Sequence, residues 1–356
     1  MSNVKKRFVR KSVAPTEKTS GRLRELIQRF AKVKILIIGD FILDEFVWGS
    51  VERISPEAPV PVVNVERESF VPGGALNVAN NIRTLGGCVI PCGVVGRDLR
   101  GRMLVKAMRR EGIDTRGVIY DETRPTTLKT RVVAHSQQVV RFDREQTRDL
   151  DELHIRQVSD FAKKVMPTVD VIVIEDYGKG VINPGLLKRV LREARNLRKP
   201  IVVDPKEKHF SFYRGVTALT PNRAEALSAF GVTSNGRVPE IDELGRVLLE
   251  RLSVEVVLIT LGEHGMILFE RSGRRTRIPT AAHEVYDVSG AGDTVAAVFA
   301  MALAAGADNR EAAILANKAA GIVVGKLGTA VVRKEELEAS VDSKLTASQK
   351  RALAFV

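Results

Sequence analysis

The stretch KILIIGD at residues 34–40 decides the fold of this 356-residue chain. Residues 35–38 form a continuous apolar run, and Gly39 and Asp40 follow it directly. Runs of this kind are typical of strands that are buried on both faces of a parallel sheet. Five further runs have the same character, at residues 88–96, 170–176, 200–206, 216–222 and 255–262.

Segments with helical character separate these runs, for example residues 74–85, 99–111, 184–197 and 238–252. Alternation of strands and helices over most of a chain indicates an open α/β sheet with helices on both faces. The sequence therefore predicts an α/β fold, a three-layer αβα sandwich with a mostly parallel central sheet, in one domain at residues 34–342.

Two segments interrupt this alternation, at residues 44–71 and 117–143. Both have the character of extended chain with turns, and the first contains the only tryptophan, Trp48. A small sheet of this kind needs another surface to cover it. We expect these segments to form a small β lid over a binding site and to provide the contact of a homodimer.

The basic charge is concentrated at the N-terminus. Residues 1–34 contain 11 Lys or Arg and 2 acidic residues, which accounts for nine of the 13 net positive charges. We interpret residues 1–33 as a basic, flexible extension and residues 343–356 as a C-terminal tail. A tail that touches RNA or a membrane non-specifically is the alternative.

The remainder of the chain has an ordinary charge, so we predict no specific nucleic-acid partner. No run approaches the ~18 apolar residues of a membrane span, and the N-terminus lacks a signal-peptide core. The sequence therefore predicts a cytoplasmic protein without a membrane span.

Polar residues follow several of the predicted strands directly. Ligands of open α/β sheets bind outside the carboxyl ends of the strands, so these residues mark a candidate site. They are Asp40, Asp44, Asp176, Tyr177, Lys179, Asp204, Lys206, Asn222, Glu225 and Thr260.

The stretch DVSGAGDT at residues 287–294 combines small residues with a carboxylate ahead of an apolar helical segment. The backbone N–H groups of Gly290, Ala291 and Gly292 are able to point into one concavity, where the helix dipole favours an anion. Asp293 would then lie next to a bound phosphate, as a base that takes a proton from an attacking hydroxyl. The alternative is a tight turn in which Asp293 caps the helix.

A second glycine-rich stretch, PGGALNVANNIRTLGG, lies at residues 72–87. Gly73 and Gly74 allow a close approach of the backbone, and Asn77 offers both a donor and an acceptor to the hydroxyls of a polyol. A plain helix start with Asn77 in solvent is the alternative.

The two glycine-rich stretches together resemble the two signatures of the ribokinase-like (PfkB) sugar kinases. TPNRAE (220–225) is similar to the N-x-x-E element of that family, and TLGEHG (260–265) to its T-x-G-x-x-G loop. The general family often has threonine where this chain has Val288. The resemblance covers residues 34 to about 340 and implies a ribokinase-like fold and a kinase that uses ATP and Mg²⁺.

The resemblance also implies roles for the matching residues. Asp293 would be the catalytic base, and the 290–292 backbone would form the anion hole. Sugar hydroxyls would be held by Asp40, Asp44, Gly73, Gly74 and Asn77. The nucleotide side would comprise Asp204, Lys206, Asn222, Glu225, Thr260, Gly262, Gly265 and Asn317, with Asn222 and Glu225 organising Mg²⁺ through water.

A closer resemblance is to the kinase domain of ADP-heptose biosynthesis, the pathway to the lipopolysaccharide core precursor. It is carried by GDFILDEFVWGSVERISPEAPVPVV, EDYGKG, VDPK, YRG and VVGKLGT. It implies phosphorylation of the anomeric hydroxyl of D-glycero-β-D-manno-heptose 7-phosphate to the 1,7-bisphosphate. The bifunctional relatives carry an H-x-G-H nucleotidyltransferase motif, which this sequence lacks, so we expect a stand-alone kinase.

A substrate that already carries a phosphate needs a cationic site away from ATP. Lys129 and Arg131 lie two apart on a predicted lid strand, hence on one face, with Arg141 further along. A solvated strand face is the alternative for these three. A ribose, fructose or nucleoside kinase would not need them, and a silent sugar-binding protein would not need Asp293.

Overall fold

The computed structural model describes residues 9–10, 17–135, 137–231, 238–282 and 284–342. The strands, in chain order, are β1 (Val9–Arg10), β2 (Lys34–Gly39), β3 (Phe41–Ile54), β4 (Pro61–Gly74), β5 (Cys88–Gly96), β6 (Gly117–Asp121), β7 (Thr127–Ala134), β8 (Gln137–Arg144), β9 (Val171–Glu175), β10 (Ile201–Asp204), β11 (Ala218–Leu219), β12 (Val256–Thr260), β13 (Met266–Glu270) and β14 (Arg274–Ile278). The α-helices are α1 (Glu17–Arg29), α2 (Ala75–Thr84), α3 (Leu99–Arg110), α4 (Glu152–Val165), α5 (Pro184–Asn196), α6 (Arg223–Phe230), α7 (Ile241–Leu252), α8 (Ala291–Ala304), α9 (Asn309–Val323) and α10 (Lys334–Asp342).

The large sheet has the strand order β1-β14-β13-β12-β11-β10-β9-β2-β5-β6. Its pairs are parallel except for β13, which runs antiparallel to both β12 and β14. All six strands expected from the apolar runs are present, which confirms the mostly parallel sheet. The sequence analysis missed the β13–β14 hairpin: β13 is a short apolar strand of five residues, and its partner β14 is mostly basic (RRTRI) and carries no apolar run.

Helices cover both faces of this sheet. Along β2, Ile35 and Ile37 pack into one core cluster, and Leu36 and Ile38 pack into the other. The first cluster includes residues of α1, α2, α3, α8, α9 and α10; the second includes residues of α4, α5, α6 and α7. This alternation confirms the three-layer arrangement, since a strand covered on both sides buries every side chain.

The expected flexible extension differs from the structure at residues 17–32. These residues form α1 and a short 3₁₀ turn, and Leu23, Leu26, Ile27 and Phe30 are fully buried against the body. Arg24 and Arg29 of α1 are exposed on the outer side of the helix, which explains why charge alone suggested a solvated segment. Residues 1–8 and 11–16, and the C-terminal tail at 343–356, lie outside the described residues.

The second sheet has the order β4-β3-β7-β8 and forms the predicted lid. β3 and β4 are antiparallel over 14 residues each, and β3 pairs with β7 in parallel. The predicted second lid segment began too early, because residues 117–121 form β6 at the edge of the large sheet. None of the described helices is both long enough and apolar enough to cross a membrane.

We expect Leu26→Ala to lower the free energy of unfolding by about 2–5 kcal/mol, because it leaves a cavity under α1. Leu153→Ala is the matched control, since Leu153 is 61% exposed on α4. Urea denaturation of both variants tests this. Equal, small effects of the two substitutions would show that α1 does not pack on the body in solution.

Candidate active site

A cavity of about 450 Å³ lies between the lid and the carboxyl ends of the central strands. The lid contributes both acidic and basic side chains, and the body contributes the start of α8 and the loop after β9. The lining residues are Ile42, Asp44, Gly74, Lys129, Arg131, Arg141, Asp143, Glu145, Tyr177, Lys179, Lys206, Ser289, Gly290, Asp293 and Thr329. The structure thus brings the two glycine-rich stretches and the lid cations to one place.

Asp293 lies in the first turn of α8 and is 3% exposed. Its Oδ2 accepts a hydrogen bond from Asn77 Nδ2 at 2.6 Å, and its Oδ1 accepts one from the Tyr177 hydroxyl at 2.6 Å. Burial raises the pKa of Asp293 to about 6, against the lowering effect of these two hydrogen bonds. A carboxylate with this pKa is mostly ionised at neutral pH and is able to accept a proton.

The N-cap of α8 is Gly290 and not Asp293. Gly290 has φ +77°, and a Cβ there would lie 2.5 Å from the Asn77 amide, so this position requires glycine. The helix-cap alternative for Asp293 therefore does not describe the structure. Of the three amides expected to face an anion, that of Ala291 donates to the Val288 carbonyl at 3.2 Å and closes the turn.

Asp40 directly follows β2 and Asp44 lies on β3, and the two carboxylates have different surroundings. Asp40 does not line the cavity: its carboxylate accepts the N–H groups of Tyr177, Lys179 and Val181 at 2.9–3.1 Å. These three backbone donors take most of the acceptor capacity of the buried carboxylate, and its expected role as a ligand of sugar hydroxyls stays a prediction. We regard Asp40 as the anchor of the loop at residues 176–181.

Asp44 does line the cavity, at 3% exposure. Its Oδ1 accepts a charge-assisted hydrogen bond from Arg131, and burial is the main cause that raises its pKa. A Cβ on Gly73 would overlap with the Asp44 carboxylate, so glycine at this position makes room for the acid. Gly74 has φ +58° and begins α2, the helix that carries Asn77 into contact with Asp293.

The lid cations lie beside carboxylates. Lys129 Nζ is 2.8 Å from Asp143 Oδ2, and Arg141 contacts the same carboxylate at 3.1 Å. From the body, Lys179 Nζ donates to Glu145 Oε1 at 2.6 Å. The sequence analysis did not single out Asp143 or Glu145. Asp143 becomes a neighbour of Lys129 only through strand pairing, and Glu145 meets Lys179 only where the lid approaches the body.

The predicted nucleotide residues lie along the next strand ends. Lys206 lines the cavity and pairs with Glu207 at 2.9 Å. Asn222 and Thr260 form a bridge between neighbouring chain segments, and Gly265 leaves no room for a Cβ beside the Ile278 carbonyl. Gly262 has φ +57° and opens the loop after β12.

Asn317 is buried on α9, and its side-chain amide donates to the Pro279 carbonyl at 2.8 Å. This hydrogen bond ties the segment after β14 to α9. The amide oxygen is the part of the side chain that remains for another partner.

Asn222 and Glu225, the residues predicted to organise Mg²⁺, form a capping box at the start of α6. Glu225 Oε2 accepts the Asn222 N–H at 2.9 Å. Burial raises the pKa of Glu225, and the charge of Glu225 contributes to the raised pKa of Asp204. Mg²⁺ prefers carboxylate oxygens together with waters and substrate phosphates, so this donor set fits an ion held through water.

A carboxyl cluster that the sequence analysis missed lies behind the cavity. Glu175, Asp204 and Asp293 each place one oxygen within 4.8 Å of the others. Glu175 is fully buried, and its pKa is raised well above the ordinary value by burial and by the neighbouring carboxylates. The pKa of Asp204 is raised to about 8, first by burial. These effects keep Glu175 protonated, as a neutral acid, in the folded protein.

We expect Glu175→Gln to stabilise the protein increasingly as the pH rises above about 4.5. In the unfolded chain Glu175 ionises near its ordinary pKa, whereas in the fold it stays protonated, so rising pH disfavours folding until its folded pKa is reached. The gain has an upper limit of about 1.4 kcal/mol per pH unit. Urea denaturation at pH 5 and pH 7.5 measures it.

Glu263→Gln is the control for this comparison, since the Glu263 side chain is 84% exposed. A stability difference between Glu175→Gln and wild type that is independent of pH would contradict the protonated state of Glu175.

Solved structures with the same fold include two kinases from bacteria. A ribokinase from Thermotoga maritima matches with a TM-score of 0.66 at 21% identity, covering 87% of this chain and 100% of that one. Phosphofructokinase-2 from Escherichia coli matches with a TM-score of 0.73 at 18% identity, covering 87% and 98%. At these identities the similarity shows the fold alone, and it confirms the ribokinase-like architecture.

Curated relatives are more similar in sequence. The "Bifunctional protein HldE" of Pelobacter propionicus is 48% identical over 318 residues, which are 88% of this chain and 64% of the relative. The protein of the same name from Geobacter sulfurreducens is 45% identical over 319 residues, 90% of this chain and 65% of the relative. The chain thus spans just under two thirds of the length of these relatives.

The model of the pfkB family carbohydrate kinases matches residues 32–336, which include both glycine-rich stretches, the lid and the cavity. This match extends over most of the chain and agrees with the fold and with the relatives. The chain belongs to the pfkB family of carbohydrate kinases.

Proposed function

We propose that this chain is an ATP-dependent kinase that phosphorylates the anomeric hydroxyl of D-glycero-β-D-manno-heptose 7-phosphate to the 1,7-bisphosphate, in the cytoplasm and in ADP-heptose biosynthesis. One observation carries the proposal: a single cavity holds a buried carboxylate with a pKa of about 6 and three lid cations, Lys129, Arg131 and Arg141. The carboxylate would accept the proton of the hydroxyl that reacts, and the cations would bind the phosphate that the substrate already carries.

Asp293 is the proposed base. Its carboxylate takes the proton of the anomeric hydroxyl while that oxygen forms a bond to the γ-phosphorus of ATP. The bond between the γ-phosphorus and the β–γ bridging oxygen breaks, and ADP leaves with the electron pair. The start of α8 points its N-terminal dipole at the phosphoryl group and stabilises its charge.

Asp44 and Asn77 are the proposed contacts of the sugar. Asp44 is held against Arg131, so its second oxygen faces the hydroxyls with a fixed orientation. Lys206 is proposed to neutralise charge on the ATP phosphates from the other side of the cavity. Asn222 and Glu225 would hold Mg²⁺ through water, and the ion would neutralise further phosphate charge when bound.

A kinase for a neutral sugar is the second candidate, and the ion pairs of the lid favour it. Lys129 and Arg141 share Asp143, and Arg131 contacts Asp44. A phosphate must compete with these carboxylates, whereas a neutral sugar leaves the pairs intact. A neutral acceptor therefore fits the lid without breaking an ion pair.

The deciding experiment is ADP release from Mg·ATP with heptose 7-phosphate, sedoheptulose 7-phosphate, fructose 6-phosphate, ribose and adenosine. We expect heptose 7-phosphate to react fastest, with kcat/KM falling below about pH 6 as Asp293 becomes protonated. Asp293→Asn should lower kcat by about 10²–10⁴-fold, the usual contribution of a general base.

Lys129→Met extends this experiment. It should raise KM for the phosphorylated acceptor and leave the turnover of ribose unchanged. Faster turnover of ribose or adenosine by wild type would retain the mechanism and contradict the heptose phosphate assignment. Absence of turnover with every acceptor would favour a silent sugar-binding protein.

We also propose that the lid forms a homodimer. Val140 and Phe142 alternate with Arg141 along β8, so they lie on the face away from the cavity, and Phe142 is 56% exposed. Large apolar side chains exposed side by side mark an interaction surface.

Phe142→Asp should convert a dimer to a monomer in sedimentation velocity, because it places a charge in the apolar contact. The control is Leu153→Asp, an equally exposed position on α4. A wild-type chain that sediments as a monomer would contradict the proposal.

A further inference from the structure

Tyr177 contacts the proposed base from the loop that follows β9. Its hydroxyl donates to Asp293 Oδ1, while Asn77 donates to Oδ2, both at 2.6 Å. Each carboxylate oxygen has two lone pairs, so each keeps one for a further donor. The two contacts fix the plane of the carboxylate and leave those lone pairs in defined directions.

The loop that carries Tyr177 is held firmly at residues 176–181. Asp40 accepts three of its N–H groups, and Asp176 Oδ1 accepts the Gly178 N–H at 2.7 Å. Both anchoring carboxylates are buried. Since the backbone on either side of Tyr177 is fixed in this way, its hydroxyl is held in place at Asp293.

Charged groups surround this contact from every side. Acidic groups are Asp44 on β3, Glu175 on β9 and Asp204 on β10; basic groups around the cavity are Lys129, Arg131, Arg141, Lys179 and Lys206. Burial and the charge of Asp44 raise the pKa of Asp293, and the hydrogen bonds from Tyr177 and Asn77 lower it. The pKa of Tyr177 is itself raised well above its ordinary value by burial, so the hydroxyl acts only as a donor at working pH.

We propose that Tyr177 is a positioning residue of the reaction, whose hydroxyl orients the Asp293 carboxylate and stabilises its negative charge. It acts through Asp293, and substrate binding is left to the other residues of the cavity. The proposal rests on the proposed function, because it requires Asp293 to be the base.

The variant Tyr177→Phe removes only the hydroxyl. We expect the midpoint of the acidic limb of kcat/KM to move upward by about one pH unit, which is the usual size of an effect from a charge-assisted hydrogen bond. At pH 6 the kcat of the variant should be several-fold below that of wild type, and by pH 9 it should reach most of the wild-type value. The KM for the acceptor should stay within about twofold of the wild-type KM. The measurement is the pH profile of wild type and variant with the best acceptor of wild type.

Tyr120→Phe is the matched control. Tyr120 lies on β6 and packs under Arg97, away from the cavity, so its loss of a hydroxyl should leave the profile unchanged. If the midpoint of the acidic limb is the same in Tyr177→Phe as in wild type, the proposal is overturned. A rise in KM without a shift of that midpoint would also overturn it, because it would make Tyr177 a substrate contact.

A second measurement separates this proposal from the proposed function. The carboxyl ¹³C resonance of Asp293, assigned by its absence in Asp293→Asn, is titrated in wild type and in Tyr177→Phe. A midpoint near pH 6 that moves upward in the variant supports the hydrogen bond even if no acceptor reacts. Equal midpoints in the two proteins would overturn it even if the kinase activity is confirmed.

Discussion

The buried carboxylate of Asp40 accepts three N–H groups of one loop, and the geometry of the site depends on this contact. Asp40 stands immediately after β2, an interior strand of the large sheet that is buried on both faces, so it ties the loop at residues 176–181 to the sheet. From this loop Tyr177 reaches Asp293, and Lys179 reaches Glu145 beside the lid. One backbone anchor thus links the sheet, the proposed base and the lid.

Burial controls the protonation of the acidic groups at the strand ends. Parallel strands end at one edge, so Glu175, Asp204 and Asp293 lie within a few ångströms of one another, where three negative charges in a desolvated space are unfavourable. The fold resolves this by differences in hydrogen bonding. Asp293 receives two donors and has the lowest pKa of the three, whereas Glu175, without such donors, holds a proton. The only one of these acids that lines the cavity is therefore the one suited to accept a proton.

The lid brings cations to the cavity together with carboxylates. Lys129 and Asp143 are cross-strand neighbours of β7 and β8, and Lys129 is also opposite Asp44 on β3. Such pairing stabilises the lid sheet and keeps long basic side chains extended toward the cavity. If the acceptor carries a phosphate, as proposed, each lid cation exchanges a carboxylate partner for that phosphate, which favours selectivity over raw affinity.

Much of the fold and part of the site could be predicted from the sequence, because they depend on local patterns. The apolar runs determine the buried strands. The two glycine-rich stretches mark the turns that approach each other in space, and they led to Asp293 and Asn77. The lid cations were identified from their spacing along a predicted strand. The roles of Tyr177, Glu175 and Asp40 were decided only by the tertiary structure. Their partners lie 116, 29 and 137 or more residues away, and no local pattern specifies which strand ends become neighbours. Which residues are buried was likewise decided by packing. Helix α1 is basic in sequence, yet the body of the protein covers one of its faces. The net charge of a helix does not show this, because it is summed over all faces, whereas packing involves only one of them.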